Sequence, residues 1–170
     1  MRRTGIIFRF VCVIVIIVLL TGCFSNSAKL RWELYDYEKM MQGDIPEDLR
    51  LTIYYMNPKI LTRFPLDIDQ MVSFRETKKI VVSSEKLALY LPLLKNLTHS
   101  VLQPVEEETY LNARLYYVFE TGNSDKILEI AISYIHSNVF VNGTEVEDNP
   151  IFYEIIDPFL TDDAHSTLGI

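Results

Sequence analysis

The chain is predicted to fold as a single small α+β domain, a mainly antiparallel sheet with helices on one face, behind an N-terminal signal peptide. Three observations predict this. The stretch 112–147 alternates aromatic and β-branched runs with turn residues, the pattern of a meander. The periodic segments follow in the order helix, strands, helix, meander, helix, which leaves too few helices to cross over between every pair of strands. The part after the signal, Phe24 to Ile170, suits one core and leaves no room for two large ones.

The first residues decide where the rest must work. Arg2, Arg3 and Arg9 lead into an unbroken apolar run, Phe10 to Leu20, and then Thr21, Gly22 and Cys23. A basic head, an apolar middle and a small-residue exit make a secretory signal. As a membrane span the run is short, since a helix over it rises about 16 Å, roughly half of a hydrocarbon core. Leu20-Thr21-Gly22-Cys23 resembles the lipobox of bacterial lipoproteins. That resemblance implies diacylglycerol on Cys23, cleavage before it, and a lipid-anchored protein on the extracytoplasmic face of the cell membrane. Residues 1–22 are then the lipoprotein signal peptide, 23–28 the lipidated cysteine and its tether, 29–160 the domain and 161–170 an acidic tail.

Charge and cysteine use bound the partners. Three of the sixteen basic residues and none of the twenty-three acidic ones precede Cys23, so the mature part sets thirteen against twenty-three, a formal charge of −10. Such a chain repels phosphate backbones, which excludes nucleic acid as an expected partner. Cys12 would leave with the signal. The folded part then has no disulfide, no free thiol nucleophile and no thiolate metal ligand, and must be held by its core. The sequons at Asn96 and Asn142 are read as chance matches.

In chain order, Leu30, Leu34, Tyr37 and Met41 recur at helical spacing among charged residues, so a helix is expected to end near Gly43. Trp32 and Tyr35 on it are assigned to core packing, with the lipid head-group boundary as the alternative. Leu49 to Met56 alternates as a half-buried strand, closed by Asn57-Pro58. Ile60 to Phe64 is expected to return as a second strand before Pro65, and Asp67 to Ser73 to make a helical turn. Lys79 to Val82 is a strand, and Ser83-Ser84-Glu85 a hydroxyl cap for a helix that Pro92 kinks or divides.

Arg114 to Glu120 and Lys126 to Tyr134 form the next two strands around Thr121 to Asp125, with Leu128, Ile130 and Ile132 facing the core. Asn138 to Val141 and Thr144 to Glu147 pair across Asn142-Gly143, two residue types that tolerate positive φ. Asn149-Pro150 opens a last helix carrying Ile151, Ile155 and Phe159, closed by Pro158; Thr161 to Ile170 reads as a loose tail.

Most chemistry is excluded by residue type and spacing. Gly43, Gly122, Gly143 and Gly169 are too far apart for a phosphate-cradling loop, and no serine stands in a Gly-x-Ser-x-Gly elbow. His99, His136 and His165 lack zinc spacing, and Asp162-Asp163-Ala164-His165 would bind metal only by ordering a loose tail. Asp67-Ile68-Asp69 lacks the third oxygen ligand and the glycine of a calcium loop. Glu106-Glu107-Glu108 and the Glu145, Glu147 and Asp148 group read as solvated charge, although a catalytic carboxylate pair meets in space rather than in sequence. No catalytic, cofactor or metal residue is therefore assigned. The expected function is a membrane-anchored binding or interaction module, with an envelope structural or assembly-accessory protein as the alternative and an enzyme such as a hydrolase third.

Overall fold

The computed structural model describes residues 26–170 apart from 44, 108, 124 and 134–136. The lipobox-like stretch with Cys23, and Tyr134 and His136, lie outside the described residues. Helix α1 (Asn26–Gln42) comes first, then strand β1 (Arg50–Tyr55), short helix α2 (Ile68–Ser73) and strand β2 (Lys78–Ser83). Helices α3 (Ser84–Ala88) and α4 (Leu91–Leu94) follow, then strands β3 (Leu115–Glu120), β4 (Lys126–Ile132), β5 (Val139–Val141) and β6 (Thr144–Val146). Helix α5 (Ile151–Glu154), a 3-10 turn (Asp157–Phe159) and helix α6 (Asp162–Leu168) close the chain. The fold class is α+β with one antiparallel sheet, in the order β2-β1-β3-β4-β5-β6.

The register places every second residue of each strand in one layer. Leu51, Ile53 and Tyr55 stand opposite Phe119, Tyr117 and Leu115, which stand opposite Leu128, Ile130 and Ile132. This face is the main core. Over it lies α1, whose Leu30, Leu34, Tyr37 and Met41 are all buried, together with α3, α4 and the carboxy-terminal helices. Two buried phenols tie the layers: Tyr37 donates to the Leu94 carbonyl at 3.0 Å and Tyr117 to the Phe152 carbonyl at 2.8 Å. Burial raises both pKa values, so both hydroxyls stay protonated donors.

The turn chemistry works as local rules require. Asn142 and Gly143 take φ of 47° and 77°, and the Asn142 side chain accepts the Glu129 N–H at 2.8 Å. Asp67 caps α2 by accepting the Gln70 N–H at 2.8 Å, with Gln70 reaching back to the Asp67 N–H at 3.2 Å. Pro92 divides the helix after β2 into α3 and α4. Asn149 accepts the Ile151 N–H at 3.0 Å ahead of α5.

Several expectations are overturned. Ile60 to Phe64 forms no strand: β1 takes β2 and β3 as neighbours, and the segment instead runs irregularly with Leu61 92 % exposed. Ser83 makes no side-chain cap; Ser84 donates its hydroxyl to the Glu47 carbonyl at 2.7 Å instead. The last helix is a single turn, and Pro158 lies inside the following 3-10 turn, although Ile151, Ile155 and Phe159 are buried as expected.

Residues 161–170 are not a loose tail. Thr161 caps α6 by accepting the Ala164 N–H, Gly169 ends it in the left-handed region, and Ala164 and Leu168 enter the main core. Trp32 and Tyr35 are 72 % and 53 % exposed, on the side of α1 away from the core to which they were assigned. The opposite sheet face is not bare either: α2 and the segment before it cover part of it, through Leu66 and Met71 against Tyr116, Val118, Ala131 and Phe140.

Candidate functional site

The two edges of the sheet differ. Along β6, the chain from Gln103 onward adds a partial strand: Pro104 bridges Val146, the Val105 N–H donates to the Glu145 carbonyl at 3.3 Å, and the Glu147 N–H donates to the Gln103 carbonyl at 2.8 Å. The outer side of β2 has no such backbone partner among the described residues. An edge strand carries a row of donors and acceptors that can receive another strand. Its two lysines are held over the protein's own faces: the Lys78 ammonium lies 2.7 Å from Asp163, and that of Lys79 lies 5.2 Å from the Tyr54 ring centroid.

Beside this edge the second sheet face keeps one exposed apolar side chain, Val81, with Tyr54 half-buried behind it and Tyr116, Thr52, Val118 and Ala131 buried. Register sets Lys79, Tyr54, Tyr116 and Ala131 in one row, and Val81, Thr52, Val118 and Glu129 in the next. The Tyr54 and Tyr116 rings stack with centroids 5.8 Å apart and planes at 24°. The Lys126 ammonium lies 5.9 Å from the Tyr116 centroid. Val81 is 58 % exposed. The floor is thus aromatic and aliphatic, with ammonium groups over both rings.

Both carboxylates of this face are engaged. Glu120 accepts from Arg50 Nε at 2.9 Å and from the Thr52 hydroxyl at 3.2 Å. Glu129 accepts from the Tyr116 hydroxyl at 3.0 Å and from Lys126 Nζ at 2.7 Å. Burial first, and the Glu129 charge second, push the Tyr116 phenol far up, so it is a hydrogen-bond donor and not a base.

A second polar cluster occupies the Tyr55 end of the sheet. Tyr55 donates its hydroxyl to Asp163 at 3.1 Å, and Lys78 Nζ reaches both oxygens of that carboxylate at 2.7 and 2.9 Å. The hydrogen bond with Lys78 lowers Asp163, and the same contact raises Lys78. A cleft of about 410 Å³ adjoins it, lined by Asn57, Arg75, Glu76, Lys78 and Thr167 among others, with acid and base side by side on its rim. Among the described residues, burial raises Tyr37, Tyr55, Tyr116 and Tyr117, and the Lys78–Asp163 contact raises Lys78 and lowers Asp163.

The remaining acidic and histidine side chains have local roles. Asp67 is the helix cap of α2. His99 sits against Glu38, Nδ1 to Oε1 at 2.8 Å, and the same carboxylate takes the His99 N–H. His165 lies 3.8 Å from Asp157. Glu106, Glu107, Glu147 and Asp148 are exposed, and Glu108 lies outside the described residues. Glu145 contradicts its reading as solvated charge: it is 3 % exposed and accepts from the Thr109 N–H, the Thr109 hydroxyl at 2.9 Å and Asn138 Nδ2 at 2.7 Å. Three donors satisfy the buried carboxylate and strap the covering segment to β6. Among the described residues no group of three His, Cys, Asp or Glu side chains is placed to hold a metal ion, and no helix is long and apolar enough to cross a membrane.

Val81 and the Tyr54–Tyr116 pair were missed as a site because the sequence shows only their alternation. That they adjoin an open edge depends on which strands are neighbours. Comparison with protein families, with curated proteins and with solved structures finds no match.

Proposed function

We propose that this protein is a lipoprotein of the bacterial envelope, anchored through diacylglycerol on Cys23, whose domain binds a protein partner. The partner contributes an extended segment that lies along β2, with alternate side chains reaching the surface of Val81 and Tyr54. The observation that carries this reading is the contrast between edges: the chain at 103–105 pairs with β6, whereas among the described residues β2 has no outer backbone partner and carries exposed Val81 beside half-buried Tyr54. Strand addition takes affinity from main-chain hydrogen bonds and specificity from alternate side chains, so it requires no dedicated chemical motif. The paired carboxylates and protonated phenols favour contact over catalysis.

A photo-crosslinking residue at position 81, expressed in the native envelope, tests the surface against the same residue at exposed Glu154. A discrete adduct is expected from position 81 alone. It should vanish when the partner meets Lys79→Asp, an exposed edge position, with the domain still folded by circular dichroism. Equal crosslinking from both positions, or an adduct indifferent to that substitution, refutes the surface. Cys23→Ser tests the anchor separately: the chain should be released or remain unprocessed, and a variant that stays in the membrane at the mature mass refutes lipidation.

A further inference from the structure

Helix α1 buries one line of side chains and leaves Trp32 and Tyr35 on the opposite side exposed among the described residues. Its core line is Leu30, Leu34, Tyr37 and Met41, none more than 1 % exposed. On the far side stand Trp32 and Tyr35, ring centroids 6.5 Å apart, with the Lys39 ammonium 5.9 Å from the Tyr35 centroid. Asp36 is exposed one turn after Trp32 on the same face, Arg31 is exposed on the flank one turn before Tyr35, and Glu38 is turned to His99. Tryptophan and tyrosine, each with an apolar body and a polar tip, favour the boundary between lipid and water, where arginine and lysine extend to the phosphates.

The place of this face in the chain selects its occupant. Asn26 opens α1 three residues after Cys23. By chain length, at about 3.3–3.6 Å per extended residue and 1.5 Å per helical one, Trp32 lies within about 20 Å of that cysteine. A contact too weak to recruit a free protein becomes populated when a tether holds it so close. The mature chain is acidic overall, whereas the outer side of α1 sets Arg31 and Lys39 against Asp36, so its aromatic pair can approach anionic head groups without net repulsion.

Resting on the reading that Cys23 carries lipid, we infer that the outer face of α1 seats in the head-group layer of the anchoring bilayer, through Trp32, Tyr35, Arg31 and Lys39. Because α1 packs on the β4 side of the main core, the order outward from the membrane is head groups, α1, sheet, and then the open face of Tyr54 and Val81. The seat therefore orients the domain so that its binding strip faces away from the lipid.

Trp32 is the only tryptophan in the chain and reports on its own surroundings. The full-length chain, processed in bacterial membranes, is purified and reconstituted into vesicles of phosphatidylglycerol and phosphatidylcholine carrying a head-group-proximal quencher. Trp32 emission should be shifted to the blue relative to Cys23→Ser in buffer, quenched by the labelled lipid and protected from acrylamide. Tyr35→Ser with Lys39→Glu should lose the lipid quenching while still floating with the vesicles. Moving the tryptophan to the open face, by Trp32→Phe with Val81→Trp, should give emission that acrylamide quenches and labelled lipid does not. A floating chain whose Trp32 stays open to acrylamide overturns the inference. Protection from acrylamide and lipid quencher alike overturns it too, because protein then covers the face. A wild-type chain that fails to float refutes the anchor itself, and the inference with it.

Discussion

Removing the Phe159 ring tests whether the carboxy-terminal segment belongs to the core. The ring is 2 % exposed, meets Tyr90 edge-on at 5.1 Å and 80°, and lies 5.8 Å from the Lys86 ammonium. Phe159→Ala deletes a buried aromatic, which costs about 3–5 kcal/mol through lost transfer and the residual cavity. The edge-on contact contributes about 0.5–1.5 kcal/mol of that. Tyr90 is only half-buried and can swing into the gap, so the lower end, about 3 kcal/mol, is expected. Against a total stability of about 5–15 kcal/mol this is a large share, and it lowers the melting temperature by about 10 °C for a domain of this size. Thermal melts followed by circular dichroism read it, with exposed Glu154→Ala as the neutral comparison. An unchanged Phe159→Ala melt would sink the core assignment and move this segment to the binding surfaces.

Deleting residues 162–170 removes Ala164 and Leu168 from the core and should cost about 2–3 kcal/mol, since burying one leucine is itself about 1.5–3 kcal/mol; an unchanged melt would restore the loose tail. Asn149→Ala frees the Ile151 N–H and should cost about 1 kcal/mol in a denaturant titration, whereas no loss would show the cap to be idle. Asp163 should titrate below its ordinary 3.8 in a carboxyl-detected NMR titration, and Lys78→Ala should bring it back up. Because its folded pKa is lowered, its stabilising effect is present above the unfolded carboxylate pKa and fades as pH falls through the folded one, a small effect for so exposed a pair. An unshifted Asp163 would mean that the Lys78 and Tyr55 contacts are not kept in solution.

What the sequence by itself determined is local. The 3.6-residue line of Leu30, Leu34, Tyr37 and Met41 names the buried side of α1, because helix geometry admits one such face. The alternation in β1, β3 and β4 identifies strands, and Asn142-Gly143 makes the hairpin, because only residues tolerant of positive φ turn there cheaply. The signals of α6 were also present, Thr161 as cap and Gly169 as stop, but acidic composition concealed a helix whose buried side is just Ala164 and Leu168.

Tertiary structure decided whatever depends on residues far apart in the chain. β1 chose β3, more than sixty residues on, over the nearby Ile60 to Phe64, because register with Tyr117 and Phe119 closes the core whereas that segment is bounded by Pro58 and Pro65. Glu145 is buried because Thr109 and Asn138 bring three donors to it, and no reading of its neighbours in sequence shows them. The candidate surface has the same origin. Whether an alternating strand lies at an edge is set by strand order, so β2 is left at one edge of the sheet while the chain at 103–105 lies along β6 at the other.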